Sequence, residues 1–242
     1  MTLREGDAAA VVIAPLEASH VSAAADVMTA ASDNEYSWSR AVGLPGGQAF
    51  FRDYFAGEHL PGRLAPQQPR SCVALDASNG RVVGICTVCD LAEDEAPHDA
   101  ENGGDAAHDA HAGEAPPPGM AAIGALDAAC RGVLWASPKA DRFSRAARGS
   151  VGCVAFLGVD ASARRRGTGC ALVQRACEEL RASGFAAAAV FCVSSAARAL
   201  FERAGFTYLG GVHYHTFALP DGTTPFASLP PDECGVMLRP LL

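Results

Sequence analysis

The stretch from residue 154 to residue 193 constrains the chain more than any other. Val154-Ala155-Phe156-Leu157-Gly158-Val159 is an apolar run of the length of a buried strand. Residues 167–183 read as a helix, with Leu172, Val173, Ala176 and Leu180 on one face and Gly184 as its stop. Ala187-Ala188-Ala189-Val190-Phe191-Cys192-Val193 reads as a second buried strand. Strand, helix and strand in succession make a right-handed crossover, so the two strands are expected side by side and parallel.

The connection from the first strand to the helix is Asp160-Ala161-Ser162-Ala163-Arg164-Arg165-Arg166-Gly167-Thr168-Gly169-Cys170. A helix start presents unpaired N–H groups and a partial positive charge. Glycines let the backbone come close to an anion, and the arginines add charge. Arg164, Arg165, Arg166, Gly167, Thr168, Gly169 and Cys170 are therefore the expected pyrophosphate cradle. A P-loop would need Gly-Lys-Ser/Thr at the helix start, and a dinucleotide fingerprint would need Gly or Ala where Leu172 stands. The bland alternative is a turn with solvated arginines.

Around this unit the rest of the chain reads as follows. Residues 10–14 suggest a short strand, and Val21, Ala24, Ala25 and Met28 recur at helical spacing behind Ser19 as N-cap. A second helix is expected over about 47–57, with Phe50, Phe51, Tyr54 and Phe55 on its apolar face. Cys72-Val73-Ala74-Leu75 and Val82-Val83-Gly84-Ile85 flank the turn signal Asp76-Ala77-Ser78-Asn79-Gly80-Arg81, which predicts an antiparallel hairpin. A helix near 122–135 precedes the parallel pair. A short helix over about 195–204, ending at Gly205-Phe206, follows it. The tail reads as a β meander with turns at Pro220-Asp221-Gly222 and Pro230-Pro231-Asp232.

Apolar residues make up 49% of the 242, enough for a sizeable core. The net charge of −8 opposes nonspecific nucleic-acid binding. That charge is local, however. Residues 93–119 hold eight acids and no Lys or Arg, which equals the whole excess of 27 acidic over 19 basic residues. This segment reads as a disordered acidic insertion closed by Pro116-Pro117-Pro118-Gly119. Nine cysteines without pattern suggest buried thiols in a reducing compartment rather than a disulfide scaffold. Cys86 and Cys89 lie three apart in an expected strand, so they point to opposite faces, and no metal site is expected. With no apolar run of transmembrane length and no signal core, no membrane association is expected, and the cytoplasm is the expected compartment.

Arg-x-x-Gly-x-Gly between strand and helix, then a strand, a short helix and Gly-Phe, resembles the core of the GNAT N-acetyltransferases over roughly 150–210. The resemblance implies an α/β (α+β) fold: a single domain over 1–242 whose mixed, mostly antiparallel sheet carries a central splayed parallel strand pair flanked by helices. It implies acetyl-CoA as cosubstrate, with its pyrophosphate on the loop amides. It also implies that the open edge at Leu157, Gly158 and Val159 pairs with the pantetheine amides. Phe191-Cys192-Val193-Ser194-Ser195, the segment Ala199-Leu200-Phe201-Glu202-Arg203-Ala204-Gly205-Phe206 and the tail around His213-Tyr214-His215 are similar to the insect and nematode arylalkylamine N-acetyltransferases. So is Ala31-Ser32-Asp33-Asn34-Glu35-Tyr36, where that branch carries a catalytic glutamate. The chain departs from many GNAT enzymes at Phe201, where they place a tyrosine, and at Ser194, where they place an asparagine.

The reaction so implied moves acetyl from acetyl-CoA to a primary amine by direct attack in a ternary complex. The acceptor would be a small arylalkylamine or polyamine-like molecule. A primary ammonium has a pKa of about 10.4, so it needs a base, and Glu35 is the expected one. Ser194 and Ser195, at a strand-to-helix junction beside the expected thioester, are the remaining catalytic candidates. Tyr208, Tyr214 and His215 are weaker candidates for substrate contact, each also readable as a packed strand residue. Two other functions fit the same pattern: acetylation of protein N-termini or lysines, and a degenerate GNAT domain that binds CoA without turnover.

Overall fold

The computed structural model describes residues 10–32, 41–43, 47–66, 68–92, 118–143 and 149–242. Seven strands form one sheet: β1 (Val11–Pro15), β2 (Cys72–Asp76), β3 (Val82–Asp90), β4 (Val151–Val159), β5 (Ala187–Cys192), β6 (Thr207–His213) and β7 (Glu233–Pro240). Their order across the sheet is β1-β2-β3-β4-β5-β7-β6. β4 and β5 are parallel, and every other neighbouring pair is antiparallel. This is the mixed sheet with a central parallel pair expected from the sequence. The tail differs from a simple meander in one respect. β7 inserts between β5 and β6, so the last strand of the chain, not the next one, completes the centre of the sheet.

Helices α1 (Val21–Ser32), α2 (Gly47–Tyr54) and α3 (Pro118–Trp135) lie on one face. Helices α4 (Thr168–Ala182) and α5 (Ser195–Arg203) lie on the other. β3 is buried along all nine of its residues because α1 covers one side and α4 the other. α4 sits close to the sheet because two strand positions lack a Cβ. Leu172 occupies the space a side chain on Gly84 would take, and Leu180 does the same at Gly152. Close packing of this kind buries Leu172 and Leu180 completely between α4 and the sheet. Cys86 belongs to the core under α4 and Cys89 to the core under α3, so the two thiols do face opposite ways.

Three local expectations need correction. Ser19 does not cap α1; it lies in a 3₁₀ turn (Ala18–His20) that leads into the helix, with the Glu17 N–H bonded to His20 Nδ1 at 3.2 Å. The second helix does not end near 57. It continues through a π-helical turn (Phe55–His59) and a last α-helical turn (Leu60–Gly62). Pro118 and Gly119 do not close the acidic insertion but open α3, where proline, which has no N–H, suits a first turn whose N–H groups have no intrahelical acceptor. The rest of the insertion, 93–117, lies outside the described residues, as does Glu35.

Candidate active site

β4 and β5 are hydrogen-bonded partners only from Val151↔Ala187 to Cys153↔Ala189. Beyond Cys153, β4 runs on for six residues paired with β3 alone, while β5 stays paired with β7. The parallel pair therefore splays, and the edge of β4 through Leu157, Gly158 and Val159 faces the gap. A bulge helps set this geometry. Thr87 pairs with Phe156 and Val88 with Val154, which leaves Ala155 without an opposite residue. Ala155 and Phe156 consequently both lie on the α1–α3 face: Ala155 packs on the core under α3, and Phe156 on the ring of Phe55. Leu157 and Val159 pack on the α4 side. Gly158 permits close approach of α1, since a Cβ there would stand 3.3 Å from that of Ala31 and 3.4 Å from the Val27 carbonyl oxygen.

The loop after β4 is built from its own polar groups. Asp160 Oδ1 accepts from the Ser162 N–H at 2.9 Å and from the Ser162 hydroxyl. Arg81, in the β2–β3 hairpin, reaches across to Asp160 Oδ2 at 3.4 Å and Ser162 Oγ at 3.0 Å. The Ser162 hydroxyl, and then its N–H, hold the Asp160 carboxyl below the usual range. Thr168, 2% exposed, donates its hydroxyl to the Ala163 carbonyl at 3.0 Å and so closes the loop on itself. Arg164 folds back, Nε donating to the Val159 carbonyl at 2.9 Å. Arg165 and Arg166 are exposed.

Arg165 has φ +60° and Gly167 φ +84°, so the chain turns through two left-handed residues directly before α4. Such a conformation costs a non-glycine residue about 1–3 kcal/mol and is concentrated in functional loops. Gly167 is the N-cap of α4, and no side chain caps that end. The N–H groups of Thr168, Gly169 and Cys170 precede the first intrahelical bond, from Ala171 to the Gly167 carbonyl. These amides, the helix dipole and two exposed guanidinium groups fit a pyrophosphate. Gly169 has a second role. It is buried, and a Cβ there would stand 2.8 Å from Cδ1 of Leu200, so this glycine also lets α4 and α5 touch.

On the other side of the gap, Ser194 caps α5, its hydroxyl accepting from the Ala197 N–H at 3.2 Å, and is 8% exposed. Ser195 is exposed, and its N–H donates to Asp232 Oδ2 at 3.0 Å. Tyr214 is fully buried and donates its hydroxyl to the Val193 carbonyl at 2.7 Å, fixing the junction that carries both serines. Tyr214 lies in a 3₁₀ turn (Tyr214–Thr216), not a strand, and His215 pairs through Nε2 with the Leu229 carbonyl at 2.8 Å. Tyr208, on the outer strand β6, donates to Glu233 at 2.7 Å; burial, then that bond, pushes its phenol up to about 12. Phe201 is 3% exposed and packs edge-on against Phe206 at 5.1 Å, a core contact rather than a proton donor. Burial pushes the Cys192 thiol up to about 12, which leaves it protonated and unfit as an acyl-accepting nucleophile.

The structure thus brings the Arg164–Cys170 loop, the open edge of β4 and Ser194 and Ser195 to the splayed end of the parallel pair. The reading of the sequence missed Asp232 and Arg81, which hold that arrangement. Both sit in segments that read simply as turns. Among the described residues, no group of three His, Cys, Asp or Glu side chains could hold a metal ion, and no helix is long and apolar enough to cross a membrane.

No curated protein sequence matches the chain. Solved structures do. The C-terminal condensation domain of Ebony, in complex with β-alanyl-dopamine, superposes with a TM-score of 0.72 at 14% identity, covering 96% of this chain and 99% of that one. Arylalkylamine N-acetyltransferase 2 from Aedes aegypti gives 0.66 at 14% identity, covering 96% and 99%. The Drosophila melanogaster polyamine N-acetyltransferase, which forms N-acetylagmatine, gives 0.64 at 17% identity, covering 95% and 98%. At these identities the likeness is one of fold. The sequence pattern of the acetyltransferase (GNAT) family matches residues 46–206, well over half of the chain. The chain belongs to the GNAT acetyltransferase family.

Proposed function

We propose that this protein transfers an acetyl group from acetyl-CoA to the primary amine of a small arylalkylamine, with both substrates bound at once. The observation that carries the reading is the gap between β4 and β5, opened beyond Cys153 and bordered by the uncapped start of α4. Acetyl-CoA would supply the activated acyl group. Its pyrophosphate would lie on the amides of Thr168, Gly169 and Cys170 with Arg165 and Arg166 beside it, and its pantetheine arm along Leu157, Gly158 and Val159. Similarity to enzymes named for arylalkylamine and agmatine acetylation supports a small amine rather than a protein as acceptor. Direct transfer fits the burial of Cys192, which at 2% exposure offers no accessible thiol at the end of β5.

In this reading Glu35 takes the ammonium proton. Ser194 and Ser195 stand by the departing thiol, with Asp232 and Tyr214 holding them in place. The test is a screen of amines against acetyl-CoA with detection of free thiol. A protein that binds acetyl-CoA but releases no free thiol in the presence of any of the amines is a sensor, and the enzymatic reading then falls. For the base, Glu35→Gln keeps shape but loses basicity and should lower kcat by about 10²–10⁴-fold while leaving the Kd for acetyl-CoA unchanged. Near-normal kcat across pH would remove Glu35 from the mechanism.

A further inference from the structure

Among the described residues Phe156 is one of the few large apolar side chains left open, 36% exposed, and it stands three residues past the last β4–β5 pair. Two rings hold it. Phe55 packs against it at 5.2 Å between centroids and an interplanar angle of 80°, and His59 at 4.8 Å and 77°. Both come from the π-helical turn that follows α2, a rare geometry associated with functional sites. His59 is 7% exposed, and its Nε2 lies 3.2 Å from the hydroxyl of the fully buried Thr87, the residue paired with Phe156 across the strands. A loose surface phenylalanine would need no such support. Here the bulge at Ala155 aims the ring to the face opposite α4, two neighbours fix its orientation, and the remaining surface is open beside the splayed strands.

We infer that Phe156 is the wall on which the aryl group of the acceptor amine stacks, with His59 as the positioning residue that holds it. The inference rests on the amine-acetylating reading above and extends it to the choice of substrate. The donor's phosphate loop belongs to the α4 face, and Phe156 lies on the other, so an amine resting on this ring would reach the gap from the side the donor leaves free. A fixed aromatic face favours an offset-stacked ring. Among the described residues, the two rings that meet Phe156, Phe55 and His59, bring no carboxylate to pair with a guanidinium, which favours an aryl group over a polyamine-like chain.

The test compares 2-phenylethylamine, hexylamine and agmatine on the full chain, by turnover with acetyl-CoA and by direct calorimetric binding. Phe156→Ala should weaken 2-phenylethylamine about tenfold or more in KM and Kd, on the scale of a lost aromatic pair together with its buried area. Hexylamine should change much less, the acetyl-CoA Kd should hold, and Phe156→Tyr, which keeps a ring, should recover most of the affinity lost in Phe156→Ala. His59→Ala should raise KM for 2-phenylethylamine with little change in kcat, and His59→Phe, which keeps a ring, should restore it. Equal losses for 2-phenylethylamine and hexylamine, a loss for agmatine alone, no loss at all, or no binding of 2-phenylethylamine by the wild type would each overturn the inference. Binding of 2-phenylethylamine that depends on Phe156 without any thiol release would uphold the wall and defeat the enzymatic reading instead.

Discussion

The hydroxyl of Tyr214 donates to the carbonyl of Val193 at 2.7 Å, so a residue after β6 fixes the point where β5 becomes α5. Val193 stands directly before the two serines. Tyr214→Phe keeps the ring packed on Phe226 but removes this donor from a part-buried junction. The expected cost is about 1–2 kcal/mol, read from denaturant unfolding. A fall in kcat larger than any change in acetyl-CoA affinity should accompany it, because the junction positions Ser194 and Ser195 and not the phosphate loop. Unchanged stability and unchanged kcat would show that the bond does no positioning.

The phosphate loop proposed at Arg164–Cys170 gives a prediction in which charge is separated from packing. Arg165 and Arg166 are exposed, whereas Gly169 is buried against Leu200. Arg165→Glu and Arg166→Glu should each weaken acetyl-CoA by roughly tenfold or more, the scale of a charge-assisted hydrogen bond, with the melting temperature nearly unchanged. Affinity of the wild type should also fall with salt, since exposed charges are screened. Gly169→Glu should lose binding and stability together, because the new side chain must push Leu200 aside. Wild-type affinity in both arginine variants would remove the arginines from the cradle.

The parts of the fold that were legible in the sequence are those coded over short distances. The strand at 154–159, the helix with Leu172, Val173, Ala176 and Leu180, and the strand at 187–193 each carry their own period, and a crossover fixes their relation. The left-handed turn ahead of α4 was legible for the same reason: glycine, arginine and a helix start are adjacent in the chain. What stayed hidden depends on partners far away. The place of β7 between β5 and β6 is decided by pairings such as Phe191↔Val236 and Tyr208↔Met237, which no local pattern encodes. The bulge at Ala155 is a mismatch of two strands and belongs to neither alone. Phe156 reads as one more core residue until the bulge turns it outward, and the fold-back of Arg164 on Val159 has no signal in composition or spacing.

The acidic segment gives a prediction about stability. Its flanks are anchored independently: Asp90 accepts from Ala92 N–H at 3.1 Å and from Gly149 N–H at 2.7 Å, and α3 packs on β6 and β7. Residues 93–117 hold the chain's excess negative charge and few large apolar side chains. Replacing them with a Gly/Ser linker should leave the melting temperature within a few degrees and should leave acetyl-CoA affinity unchanged. A large loss of either would assign the segment a packing or binding role.

Asp232 provides the last prediction, which concerns acid pH. Burial alone would raise its pKa, but the N–H groups of Ser195 and Glu233, then the Ser195 hydroxyl and Arg198, outweigh burial and hold the carboxyl below its usual range. A folded-state pKa below the unfolded one means that the charged form stabilises the fold above the ordinary carboxylate range, near pH 4, and that this contribution is lost as pH falls through the lowered value. Asp232→Asn cannot satisfy both N–H groups with its one carbonyl oxygen, so at pH 7 it should unfold at lower temperature than the wild type. The asparagine also takes up no proton at this site as the pH falls. Between pH 5 and pH 3, given as rough bounds on the titration, the gap in melting temperature between wild type and variant should therefore narrow. Asp160 titrates in the same direction and supplies an internal control, since it remains in the variant and keeps part of the acid slope. Melting curves that stay a constant distance apart across this range would show that Asp232 does not carry the linkage. Loss of turnover at pH 7 in Asp232→Asn, with acetyl-CoA affinity retained, would place its effect at Ser195, where its Oδ2 is bonded, and not at the phosphate loop.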